Sequence, residues 1–101
     1  LSSLSGSADG YERRAILSID LSGALQTRLD NREAHMAHVQ GSGIVAMAGP
    51  LLDADGGMCG SLIVLNVVDM AQAKAFADND PYAKAGLFET VTLDIWNKVI
   101  G

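Results

Sequence analysis

The sequence predicts an α+β fold in the order βαββαβ. Four short apolar runs of strand character, two segments with apolar residues at helical spacing, and the turn residues between them predict it. The chain has 101 residues, 49% of them hydrophobic, which suits one compact domain rather than two. Right-handed crossovers then give a four-stranded antiparallel sheet with both helices on one face, the ferredoxin-like arrangement.

Residues 1–12 read as a flexible leader or a non-native remnant, without the basic and apolar regions of a signal peptide, and residues 13–101 as the domain. Arg14 to Asp20 is the first strand, and Asp20-Leu-Ser-Gly23 is a turn leading into a helix. From Ala24 to Gln40, Leu25, Leu29, Met36 and Val39 keep helical spacing, and Gly41-Ser-Gly43 ends the run. Ile44 to Gly49 is a second strand ended by Pro50, and Asp53 to Gly57 is a hairpin-type turn. Ser61 to Val68 is a third strand. Asp69 caps a second helix carrying Met70, Ala73, Phe76 and Ala77, which stops by Asp80 because Pro81 follows. Tyr82 to Gly86 is a short helix or turn. Phe88 to Val99 alternates Val91, Leu93 and Ile95 with Thr90, Thr92 and Asp94, as a strand does.

The third strand is apolar on both sides, with Ile63, Leu65 and Val67 on one and Leu62, Val64 and Val68 on the other. Two helices cover one face, so the second face, placed between Ile63 and Val67, is expected to pack against a second copy as a homodimer.

Charge and composition exclude several functions. Seven Lys and Arg against twelve Asp and Glu give a net charge of −5, the wrong sign for nucleic acid or an anionic membrane surface. No apolar run approaches the roughly 18 residues of a membrane span. One cysteine, Cys59, and two histidines make no zinc-ligand set, so no metal is expected, and a reducing cytoplasmic location follows. Asp53-Ala-Asp55-Gly56 lacks the later acidic positions of a calcium loop and reads as a turn.

Three residues of the first helix carry chemistry. At about 100° per residue, Arg28, Arg32 and His35 fall on one border of the apolar stripe. Either the arginines face a cleft, hold a small anionic molecule and leave His35 to move protons, or they pair on the surface with Asp30, Glu33 or Asp69. His38 lies farther round and is expected in solvent. Asp80, fixed by Pro81, is either a carboxylate that orients a histidine or a helix-ending turn residue. Asp20, at a strand end, is a second carboxylate candidate for the same cleft. Trp96, on a polar strand face, lines a pocket or an interface.

Arg32-Glu-Ala-His35-Met, Ala48-Gly-Pro-Leu-Leu52, Gly60-Ser61, Asp80-Pro-Tyr-Ala-Lys-Ala-Gly-Leu-Phe-Glu89 and Trp96-Asn-Lys-Val99 together resemble the YciI-like, or YCII-related, family across residues 14–100. The resemblance implies a dimeric α+β barrel and a site centred on His35 and Asp80, with Ser61 pointing into the same pocket and Tyr82 within the Asp-Pro-Tyr motif. Asp20 matches the family pattern, but Leu21-Ser22 replaces the Lys-Pro that commonly follows. Relatives with assigned reactions act on small cyclic or aromatic compounds, including a chlorinated hydroxyhydroquinone. The implied chemistry is cofactor-free acid/base catalysis of lyase, dehydrochlorinase or isomerase type, with His35 shuttling a proton, Asp80 orienting it and Arg28 or Arg32 holding an anionic oxygen. A non-catalytic dimer that binds a metabolite or a protein is the alternative.

Overall fold

One antiparallel sheet joins all four strands of the computed structural model, which describes residues 12–100. The expected leader, apart from Glu12, lies outside the described residues. Strand β1 (Glu12–Asp20) leads to helix α1 (Leu25–Ser42), then strands β2 (Val45–Leu52) and β3 (Met58–Leu65). Helix α2 (Met70–Asp78), the single turn α3 (Pro81–Lys84) and strand β4 (Phe88–Asn97) follow. The sheet order is β2-β3-β1-β4. This is the ferredoxin-like α+β fold expected from the element order. No helix among the described residues is long and apolar enough to cross a membrane.

Local chemistry sets the boundaries. Gly43 ends α1 in the left-handed conformation, with φ 71°, which glycine adopts without a Cβ penalty. Asp69 caps α2 by accepting from the Ala71 amide at 2.9 Å. Asp53 closes the β2–β3 turn by accepting from the amides of Asp55 and Gly57. Strand β2 runs through Pro50 instead of ending there, because it is an edge strand and tolerates a residue without an N–H.

Register decides which face is buried. Ile16 lies opposite Ile63, and Arg14 opposite Leu65, so the odd-numbered residues of β3 face the helices. Ile16, Ile63, Leu65, Val67, Ala73 and Phe76 form the core between sheet and helices. The open face is therefore one residue out of step with its expected position between Ile63 and Val67. It carries Leu17, Ile19 and Leu62, exposed by 37, 38 and 39%, while Val64 on the same face is buried.

Helix α1 reverses the expected pattern. Leu25 and Leu29 are exposed by 45 and 47%, whereas Arg28 and His35 are buried. Polar residues take the sheet side because their partners lie beneath them. His38, expected in solvent, also turns inward: its Nε2 lies 2.9 Å from the Phe76 carbonyl oxygen and its ring packs on the Phe76 ring at 4.3 Å.

Gly60 permits the close approach of β1 and β2 to β3. An added Cβ there would run into the Ser18 carbonyl oxygen and come within 3.0 Å of Leu51 Cδ1. Gly60→Ala is expected to lower unfolding free energy by about 1–3 kcal/mol. A shift of the urea midpoint at constant slope checks it.

Candidate functional site

Helix α1 supplies two buried polar side chains, Arg28 and His35, seven residues and thus about 10.5 Å apart along its axis. Each finds a carboxylate from a different element. Asp20 comes from the end of β1, where the pairing with β4 slips between Ile19 and Asp20. Such a bulge re-aims the following side chain. Asp80 comes from the turn between α2 and α3.

Arg28 and Asp20 form a two-pronged ion pair, with Nε 2.7 Å from Oδ2 and Nη2 2.9 Å from Oδ1. The side chains are 3 and 5% exposed. Arg28 Nη2 also donates to Ser61 Oγ at 2.9 Å. Burial would lower the pKa of Arg28, but the bond to Asp20 and its charge outweigh burial and raise it, so the guanidinium stays charged. The surface partners Asp30, Glu33 and Asp69 are not used by Arg28.

His35 Nδ1 lies 2.8 Å from Asp80 Oδ1, and both side chains are buried. A carboxylate only accepts, so Nδ1 carries a proton, and in the neutral ring the lone pair is on Nε2. The same Oδ1 accepts from the Tyr82 amide at 2.9 Å as the cap of α3, with Pro81 at the first helical position. Asp80 thus both caps the turn and bonds His35. One oxygen does both.

The Tyr82 ring joins the two halves. It stacks on His35 at 4.0 Å with the planes 13° apart, and Arg28 Cζ lies 4.7 Å from its centroid. Burial raises the Tyr82 pKa against the lowering effect of Arg28 and Arg32, so the phenol is neutral at physiological pH. Tyr82 is 2% exposed and forms part of the site floor.

Arg28, Arg32, His35, Ser61 and Tyr82 all border one cavity of about 220 Å³. Its other wall is apolar, with Met36, Val39, Ala48, Gly49, Pro50, Met58 and Ile63. Arg32 is exposed and makes no ion pair among the described residues, so it is the free cation of the cavity. Asp20 reaches the cavity only through Arg28. Trp96 lies across β1 from this site, half-buried and paired with Arg13. No group of three or more His, Cys, Asp or Glu among the described residues is arranged to hold a metal ion. The sequence reading ends the second strand at Pro50 and so misses the apolar wall. The signal that could have shown it is the short run Ala48-Gly49-Pro50 set against Ser61 and Ile63 across the edge hairpin.

Comparison with known proteins now gives the lineage. The YCII-related domain matches residues 13–97. The chain belongs to the YCII-related domain family. Among YCII-related proteins it is 33% identical over 93 residues to Protein YciI of Escherichia coli O6:H1, covering 83% of this chain and 95% of that one. A solved relative is the 5-chloro-2-hydroxyhydroquinone dehydrochlorinase of Burkholderia phenoliruptrix, in complex with 2,5-dihydroxybenzoquinone. The two are 32% identical with a TM-score of 0.77, over 83% of this chain and 92% of that one. An antibiotic biosynthesis monooxygenase at 7% identity and TM-score 0.57, over 89% of this chain and 100% of that one, shares the fold alone.

The ion pair makes a stability prediction. Asp20→Ala leaves the Arg28 charge buried and unpaired and is expected to cost about 3–5 kcal/mol. Asp20→Ala with Arg28→Met is expected to recover most of that loss, measured by chemical denaturation as a double-mutant cycle.

Proposed function

We propose that the chain is an acid/base enzyme acting on a small anionic cyclic or aromatic compound, by a lyase, dehydrochlorinase or isomerase type of reaction. The observation that carries this is the His35 Nδ1 to Asp80 Oδ1 bond of 2.8 Å at the edge of a cavity. It presents Nε2 as a proton acceptor and stabilises the imidazolium that forms when the proton arrives. In an elimination of HCl, Nε2 takes the proton and chloride leaves with the electron pair of its bond to carbon. In an isomerisation, Nε2 returns the proton to a different atom. The apolar wall suits a flat ring, and Arg32 suits its negative charge. The dehydrochlorinase relative and its bound quinone support the same class of ligand.

We further propose that two copies associate through the open sheet face. Leu17, Ile19, Met47 and Leu62 form an apolar patch there that is costly to leave in water.

Two measurements test these readings. Against a panel of hydroxyquinols and lactones, His35→Ala is expected to lower kcat/KM by about 10²–10⁴-fold, and Asp80→Asn to lower it as well. Equal turnover by His35→Ala and the wild type would end the catalytic reading. Light scattering at micromolar concentration is expected to give twice the chain mass, and Leu62→Lys to halve it. A monomeric wild type overturns the dimer.

A further inference from the structure

The bond between Arg28 and Ser61 has only one possible direction. A guanidinium has donors and no acceptor, so Arg28 Nη2 donates and Ser61 Oγ accepts. The Ser61 hydroxyl proton is then left to be placed. No acceptor among the described residues takes it, although Ser61 is 3% exposed and buried hydroxyls are otherwise bonded. The side chain borders the same cavity as His35 and Arg32. We propose that the Ser61 hydroxyl is a hydrogen-bond donor kept for a carbonyl or ionised hydroxyl oxygen on the ring of the ligand.

The surroundings favour this role. Asp20 occupies Arg28 Nε and Nη2 and holds the guanidinium against Ser61. A hydroxyl that accepts from a cation becomes a stronger donor through its own proton. Arg28 thus acts on the ligand through Ser61, as a positioning residue, while the unpaired Arg32 meets the negative charge directly. The ligand class narrows to a planar ring whose oxygens are spaced to reach Ser61 and Arg32 while a ring atom faces His35. This inference rests on the acid/base reading above.

The probe is 2,5-dihydroxybenzoquinone, titrated calorimetrically into the wild type, Ser61→Ala and Ser61→Thr, with infrared difference spectra of the bound carbonyl stretch. Ser61→Ala is expected to bind about 10–100-fold more weakly and to return the carbonyl band toward its free position, and Ser61→Thr to restore both. Arg28 keeps Asp20 in each variant, so each folds, with Ser61→Ala melting lower by the one lost bond to the guanidinium and Ser61→Thr closer to the wild type. Equal affinity and an unmoved band in Ser61→Ala overturn the Ser61 assignment and leave the His35 reading standing. Failure of the wild type to bind the quinone overturns both.

Discussion

A charged residue on the buried side of a helix constrains everything around it, and Arg28 is that residue. Leaving its guanidinium under α1 without a counter-charge would cost several kcal/mol, comparable to much of the net stability of a domain this size. The fold answers by ending β1 in a carboxylate, bulging the strand to aim it, and placing a serine on β3 beside it. Helix α1 is thereby tied to both central strands by polar contacts where an ordinary amphipathic helix would use leucines. Its own leucines, Leu25 and Leu29, are left facing outward.

The second buried polar residue, His35, follows from the same geometry. Two helical turns on from Arg28, it meets the segment that α2 hands to β4, where a proline and a cap have already fixed the Asp80 carboxylate. Tyr82 fills the space between, touching both. The site is thus assembled from the contacts that dock the helix, and the proposed acid/base geometry and helix docking share the same bonds.

Much of the fold was legible because strand and helix periods, glycines and prolines act locally. The element order and the Asp69 cap follow from such signals. The orientation of α1 was not legible, because an apolar stripe of Leu25, Leu29 and Met36 outranks Arg28 and His35 on hydrophobicity alone. Only a partner distant in sequence, Asp20 or Asp80, reverses that ranking. The face of β3 turned to the helices was ambiguous for a related reason. With Leu62 to Leu65 apolar at every position, periodicity carries no phase, and cross-strand register supplies it. Within the site, His35 and Asp80 could be paired only through motif resemblance, since their separation of 45 residues encodes no distance. The bond direction at Ser61 requires coordinates.

His38 gives the cleft an asymmetric frame. Three residues beyond His35 on the same helix, it grips the Phe76 carbonyl near the end of α2, four residues before Asp80. One side of the cleft is thus pinned twice, by two imidazoles reading one stretch of chain. The opposite side is the edge strand β2, bonded to a neighbour along one margin only. The outer wall of the cleft is thus the side held by fewer bonds, and the wall that carries His35 and Asp80 is the one anchored at two points.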